Sequence, residues 1–380
     1  MRLNKEQLIQ NFLEVRRETQ SLCAPLEIED YGVQPMEDAS PPKWHLAHTT
    51  WFFEVFVLKP HLEKYVGFDE KYEYLFNSYY DGVGERYPRS DRGNLSRPTV
   101  AEILEYRSYV DQKMEEIILA RPSEEIKRLI VLGLEHEKQH QELILTDLKF
   151  NLGHNPLHPA YRDNLAQSQS GRSESSMKFI VFSGGMKTTG VCPGEVDFCF
   201  DNETPKHRVW IDEFALASRL VTNGEYLDFI DEEGYNTPTL WLSEGWSSVQ
   251  KEHWQAPEYW YKKDDAWFEY TLSGSKKLDP NLPVTHVSFY EAEAFARWSG
   301  ARLATEFEWE AVASERTAEI NEANLMTSDR FHPEPAKNLT DISQLYGDCW
   351  EWTSSNYRPY PGYKPLAGTL GEYNGKFMSN

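Results

Sequence analysis

Across most of the first 150 positions, apolar residues recur in threes and fours, the spacing that gives an α-helix one buried stripe. Leu8, Phe12 and Val15 mark the first stripe. Asn4 and Gln7 form a capping box ahead of it, Leu3 can staple against Leu8, and Pro25 follows its end. A second stripe runs through Trp44, His48, Trp51, Val55 and Leu58, with Ser40 expected as its cap, Pro41 in its first turn and Pro60 as its stop. A third follows the capping box Thr99 to Glu102 and collects Ile103, Val110, Met114 and Ile117. The fourth starts behind Ser123, where Glu124 and Glu125 suit the positive end of the helix dipole. It runs Ile126, Leu129, Gly133, His136, His140 and Leu143. Four amphipathic helices with short and medium connections predict an antiparallel four-helix bundle.

After Phe150 the helical period fades, and the Ser- and Gly-rich run from Ser168 to Ser176 reads as a flexible connector or exposed loop. From Met177 short strand-like runs take over, beginning with Lys178-Phe179-Ile180-Val181-Phe182. Trp241, Trp246, Trp254, Trp260 and Trp267 stud a loop-rich region, and one clear helix is expected from Ser288 to Ser299. The fold class expected is therefore α+β in two domains: a helical bundle over 1–160, a linker over 161–177, and an irregular strand-containing domain over 178–380.

Composition narrows the function. With 39 Lys plus Arg against 61 Asp plus Glu, the formal charge of -22 repels nucleic acid and anionic membrane surfaces, so neither is an expected partner. No segment is long and apolar enough to span a bilayer, and the first residues lack a signal-type apolar core. Cys23, Cys192, Cys199 and Cys349 are scattered, with no Cys-x-x-Cys pair, as expected for reduced thiols of a cytoplasmic protein.

The chemistry concentrates on the second and fourth helices. His136 and His140 lie one turn apart on a stripe where a core helix carries Leu or Ile, a spacing that lets two imidazoles share one metal ion. Gly133, one turn earlier, leaves room there for an ion and substrate. By spacing alone, Glu142 can complete a two-histidine-one-carboxylate iron site. The competing completion is a third histidine from another helix. His48 occupies a core position, and His45, one turn earlier, is its rival, with an exposed position expected for it. Between helices two and three, the loop 76–98 carries the paired phenols Tyr79 and Tyr80 and four arginines. Arg86, Arg89 and Arg92 on one loop of an acidic protein suggest capture of a carboxylate by guanidinium forks.

Longer motifs then become recognisable. Trp44-His45-Leu46-Ala47-His48-Thr49-Thr50-Trp51 and the His136-x3-His140-x-Glu142 helix resemble the iron-binding signature of the EgtB-type sulfoxide synthases of ergothioneine biosynthesis, on their DinB-like bundle. Asp201 to His207, Leu220 to Tyr226, Pro283 to Ser288, Arg302 to Glu310 and Gly347 to Thr353 are similar to the formylglycine-generating-enzyme (sulfatase-modifying factor) domain, a C-type-lectin-like fold. The resemblance covers nearly the whole chain. Tyr87, Ala304 and Cys349 depart from the family's common residues without removing an assigned chemical group.

The resemblance implies an oxidoreductase with one non-haem iron(II), Fe(2+), held by His48, His136 and His140, leaving Glu142 as a supporting carboxylate. It implies an O2-dependent coupling of a thiol, cysteine or γ-glutamylcysteine, to the imidazole of Nα-trimethylhistidine (hercynine), yielding a sulfoxide. Gln139 matches a position near the histidine-derived substrate, and Tyr79 and Tyr80 match active-site phenols. Arg89 and Arg92 match positions gripping the thiol substrate's carboxylate, with Arg86 as second choice. In the family, the stretch matching Asn374 to Asn380 leads into an Arg-Gly-Gly-Ser segment and a terminal stretch that helps recognise the trimethylammonium group. The expectation is therefore a pocket lacking part of its wall, with retained iron, weak turnover and self-association. Two competing readings are a DinB-type thiol transferase using the same histidines, and a non-catalytic lectin-like module.

Overall fold

A computed structural model describes residues 4–166, 176–337 and 341–378. The chain divides into two compact units. The first gathers the residues up to Tyr161 with two later stretches, Val191–Thr204 and Gly362–Met378; the second holds Arg162–Gly190 and Pro205–Pro361. Most of the expected connector, and Leu3 of the expected staple, lie outside the described residues.

Four long helices build the first unit: α1 (Lys5–Cys23), α2 (Pro42–Phe53), α3 (Val100–Leu119) and α4 (Glu124–Gly153). The capping boxes at Asn4/Gln7 and Thr99/Glu102 form, and the Ser123 side chain accepts from the Ile126 amide. Every residue of α2 is buried, because it packs against α1, α3 and α4 together. The cap expected at Ser40 is not made there. Pro41 caps the helix, while the Ser40 amide donates to Asp147 at 2.8 Å and its hydroxyl accepts from Arg92 at 2.8 Å. The helix runs on through a π-helical turn, Glu54–Leu58, into Lys59–His61, and so ends one residue past Pro60 as expected. The wider turn shifts the helical phase, so Val57 and Leu58 are buried and Val55 is only half-buried.

On α4 the buried face follows Ile130, Gly133, Leu134, Glu137, Gln141, Ile144 and Leu148. Leu143, expected on the seam, is exposed. The space left by Gly133 serves packing rather than an ion, since a Cβ there would meet Phe53 Cε1 at 2.5 Å and Phe52 Cδ1 at 3.1 Å.

Between these helices lies a buried charge network. The Glu137 carboxylate accepts from Arg16 at 2.8 Å, Arg107 at 2.5 Å and the Thr19 hydroxyl at 2.6 Å. Arg16 also binds Asp111 at 2.7 Å and the Thr50 hydroxyl at 2.9 Å, so α1, α2, α3 and α4 meet on one guanidinium and its carboxylate. Burial alone would raise the Glu137 pKa, but Arg107 and Arg16 overcome it and hold it at about 2. Such a pair tolerates loss of one partner poorly, because the other charge stays buried without compensation.

The second unit consists of small antiparallel sheets and short helices. Strands β1 (Phe179–Phe182) and β4 (Phe214–Ala217) pair, as do β2 (Gly185–Thr189) and β3 (His207–Ile211). Strands β5 (Trp260–Lys263), β6 (Ala266–Thr271) and β7 (Gly274–Lys277) form a meander. The scattered tryptophans turn out to be its core: Trp241 and Trp260 are buried with Tyr226 and Phe229, and Trp246, Trp254 and Trp267 pack against them. Helix α5 (Asn223–Asp231) is closed by a capping box, Thr222 with Glu225, and α8 (Glu306–Ala313) by Thr305 with Glu308. In both, an arginine three residues before the cap grips the box glutamate with two bonds, Arg219 at 2.9 and 2.9 Å and Arg302 at 2.8 and 2.6 Å. Between them lie α6 (Ser243–Glu252) and α7 (Phe289–Trp298), the latter capped by Ser288 as the pattern indicates.

Replacing Glu137 by Gln should destabilise the first unit by about 3–5 kcal/mol, the range for breaking a buried ion pair. Gly133→Ala should cost about 1–3 kcal/mol by overpacking against Phe53. Equilibrium urea unfolding followed by far-UV circular dichroism measures both, and a Glu137→Gln midpoint equal to wild type would contradict the network's role.

Candidate metal centre

Helices α2 and α4 bring His48, His136 and His140 together, with one ring nitrogen from each lying within 4.8 Å of the others. His48 Nε2 and His136 Nε2 are 3.2 Å apart. All three rings are buried, and burial, followed for His48 and His140 by the neighbouring imidazoles, lowers their affinity for a proton; His136 falls to about 3. The cluster therefore presents neutral imidazoles, the form in which histidine binds a metal.

Each ring is braced. His48 donates from Nδ1 to the Phe76 carbonyl at 2.6 Å, which leaves its Nε2 as the lone pair, and it stacks on Trp44 with centroids 4.6 Å apart. His136 stacks on Phe52 at 4.6 Å, and its Nδ1 is buried with no hydrogen-bond partner among the described residues. His140 Nδ1 faces His45 Nδ1 at 2.8 Å. His45 is thus buried behind a ligand position rather than exposed as expected, because its other nitrogen contacts Asp147 at 2.9 Å. Glu142 lies exposed on the surface of α4 and outside the cluster. Three neutral, braced imidazoles with convergent nitrogens fit a first-row metal ion, with coordination positions left for exogenous ligands.

The other expected residues fall at varying distances from this centre. Tyr80 is fully buried against Trp51 and Phe56, and its ring stacks on Tyr79 at 4.7 Å. Burial and the Tyr79 phenol hold the Tyr80 hydroxyl well above its usual pKa. Arg92 is buried, with its guanidinium carbon 3.3 Å from the Trp44 ring centroid, directly behind His48. Its Nε is buried without a partner among the described residues, and burial, followed by the charge of Arg89, brings its pKa down to about 9. Arg89 and Arg86 are exposed; Arg89 donates to the Asp38 carbonyl at 2.5 Å and Arg86 lies 3.5 Å from Asp81.

Gln139 receives a hydrogen bond from Tyr373, a residue that inspection of the sequence passes over. The Tyr373 ring is buried edge-on to His136 at 5.7 Å and stacks on Phe200 at 5.6 Å. Asp201 holds the segment carrying Tyr373, accepting from the Tyr363 hydroxyl at 3.1 Å, the Leu366 amide at 3.2 Å and the Asn374 amide at 2.8 Å. Glu372 accepts from the amides of Asp81 and Gly82 at 2.9 and 2.8 Å, and Lys376 reaches the Tyr79 carbonyl. The only sequence signal for this arrangement is the aromatic-and-glycine texture of residues 363–377, which reads equally well as a plain loop.

Comparison with known proteins agrees with this architecture. Residues 11–144 match the DinB superfamily, and residues 165–377 match the sulfatase-modifying factor enzyme 1-like domain. A hercynine oxygenase of Mycolicibacterium smegmatis is 30% identical over 349 residues, covering 86% of this chain and 78% of the relative. A hercynine oxygenase of Mycolicibacterium thermoresistibile is 28% identical over 389 residues, covering 96% and 82% respectively. Ergothioneine biosynthesis protein 1 of Schizosaccharomyces pombe is 28% identical over 176 residues, 44% of this chain and 20% of that protein. The chain is a two-module protein, a DinB-type bundle combined with a sulfatase-modifying-factor domain. It belongs to the hercynine oxygenase family.

Asp201→Ala should free the segment 362–378 while leaving α4 unchanged. Hydrogen–deuterium exchange resolved by peptide should show faster exchange from Leu366 to Asn374, and unaltered exchange there would mean that other contacts hold Tyr373 in place.

Proposed function

We propose that this protein is a non-haem iron(II) oxygenase of ergothioneine biosynthesis that joins a thiol to the imidazole of Nα-trimethylhistidine. The observation that carries this reading is the buried three-histidine cluster in a chain 30% identical, over 86% of its length, to a hercynine oxygenase. The reaction balances as thiol plus imidazole C–H plus O2 giving sulfoxide plus water. Carbon–sulfur bond formation and sulfur oxidation together release the four electrons that O2 accepts. Iron bound by His48, His136 and His140 would supply the redox chemistry that activates dioxygen.

The chain's own residues would then orient and protonate. Tyr80, and Tyr79 stacked on it, hold protons on phenols next to the aromatic wall of the cluster, the position for a proton donor. Gln139, fixed by Tyr373, offers an amide to the histidine-derived substrate beside His136. Tyr373 and Phe377 meet Tyr79 edge to face, ring centroids 6.5 and 5.1 Å away, and the Tyr79 ring already carries the Lys376 ammonium 5.3 Å from its centroid, so this aromatic cluster is a surface that accepts a cation such as trimethylammonium. Arg92 is the proposed anchor for the thiol substrate's carboxylate. It is buried, its Nε has no partner among the described residues, and Asp147 offsets only part of the cost of its burial and of the Arg89 charge, so an arriving anion would find an under-compensated guanidinium. Cysteine and γ-glutamylcysteine both carry such a carboxylate.

Anaerobic loading with iron(II) followed by exposure to air tests the assignment. Oxygen uptake should require both thiol and trimethylhistidine, and mass spectrometry should find their sulfoxide conjugate. Thiol transfer without oxygen uptake would overturn it. His48→Ala, His136→Ala and His140→Ala should each reduce bound iron from one per chain towards none, whereas His45→Ala should retain it at saturating iron; metal analysis after gel filtration decides. Arg92→Ala should weaken the thiol substrate by about 1.5–3 kcal/mol, the range for charge-assisted bonds. For exposed Arg89→Ala the loss should be smaller, about 1 kcal/mol or less. The KM values for the two substrates, measured separately, check this, and equal losses for thiol and trimethylhistidine would indicate loop collapse instead.

A further inference from the structure

His45 and Asp147 are buried beside the histidine cluster, and the proposed chemistry gives them no task. Their alignment nevertheless restricts where a proton can sit. Asp147 Oδ2 can only accept, so the His45 nitrogen 2.9 Å from it, Nε2, carries the proton. A neutral His45 then has its lone pair on Nδ1, and the group facing that lone pair at 2.8 Å is His140 Nδ1. One of two nitrogens at that distance must carry a proton, and with His45 neutral it is His140 that donates, from Nδ1. Its remaining nitrogen, Nε2, is left unprotonated. The carboxylate is itself fixed by the Ser40 amide at 2.8 Å, so the chain of bonds ends on backbone rather than on a mobile side chain.

We propose that Asp147 and His45 are positioning residues that place the ring proton of His140 on Nδ1 and thereby keep Nε2 as its metal-binding lone pair. The inference rests on the metal-centre reading above. His48 obtains the same result from a carbonyl, that of Phe76, at 2.6 Å. Among the described residues no carbonyl bonds to a ring nitrogen of His140, and the His45–Asp147 pair takes that place. Partners of this kind orient metal-binding histidines and raise their basicity, and their loss lowers metal affinity by about 10- to 100-fold. The interaction also explains why residue 45 is polar in a helix whose every position is buried.

Two readouts test the pair. Long-range proton–nitrogen correlation spectra of the metal-free protein with 15N-labelled histidine report the tautomer of each ring, and zinc(II), a redox-silent probe, gives affinity by chelator competition. Wild-type His140 should show the Nδ1–H tautomer. His45→Phe keeps the bulk but offers no acceptor; it should shift His140 towards the Nε2–H form and weaken zinc binding about 10- to 100-fold. His45→Gln, whose amide can accept from His140 and donate to Asp147, should restore most of both. A wild-type His140 in the Nε2–H form, or a His45→Phe protein with unchanged tautomer and affinity, would overturn the proposal. If His45→Phe does not fold, the wild-type tautomer and the Gln variant still decide it. Failure of the wild-type protein to bind zinc or iron would instead refute the metal centre, leaving the tautomer measurement to judge the positioning pair by itself.

Discussion

The bundle depends on one buried carboxylate. Glu137 stands next to His136 in sequence, yet its side chain turns into the bundle, where Arg16 of α1 and Arg107 of α3 close on it. Hydrophobic packing between helices is non-directional, and helices held by it alone can slide or rotate at little cost. A carboxylate held by two guanidinium groups and a hydroxyl is directional, and sliding would strand buried charges. Because His136 and His140 flank Glu137, fixing the rotation of α4 also fixes the direction in which both imidazoles point. The arginine contacts to Thr49 and Thr50 extend the same constraint to α2, immediately beyond His48. The direction of the clustered imidazoles and the bundle register are therefore set by a single polar joint.

Much of the bundle could be read from the chain because its determinants are local. Capping boxes span four residues, and an apolar stripe is visible within two turns, so Asn4, Thr99 and Ser123 marked true helix starts. Where distant partners compete for a residue, local reading misleads. Ser40 looks like a cap, but Asp147 and Arg92 claim it. His45 looks like a surface residue until His140 and Asp147 are seen on either side of it. Gly133 looks like space for a ligand, and Phe53 fills it. The charge network left a trace that could have been followed: Arg107 lies four residues after Ile103 and three before Val110, on the buried stripe itself. A charged residue at such a position requires a buried partner on another helix.

Two of the recognisable motifs in the second unit prove to be folding devices. The pattern Arg-x-x-Thr-x-x-Glu occurs at Arg219 and again at Arg302, each time as a capping box whose glutamate is clamped by the arginine. What these two motifs encode is architecture, a helix cap and its clamp. Tyr373 shows the opposite case. It sits against His136, but its surroundings in sequence are those of an ordinary loop, and only long-range contacts to Asp201, Glu372 and Lys376 give it a fixed place.

Those contacts have a consequence for how the protein is made. The bond from the Asp81 amide to Glu372 joins residues 291 positions apart. The three clustered histidines have all left the ribosome long before that partner exists. Glu372 follows the last of them, His140, by 232 residues, at usual translation speeds roughly 12–46 s. Each newborn chain thus passes through a period in which the imidazoles have gathered but the tyrosine loop beside them has no latch. Contacts of such sequence separation are also the slowest to form after release. For the proposed metal centre, capture of an ion can precede completion of the site, and exchange of that ion would be easiest during the same interval.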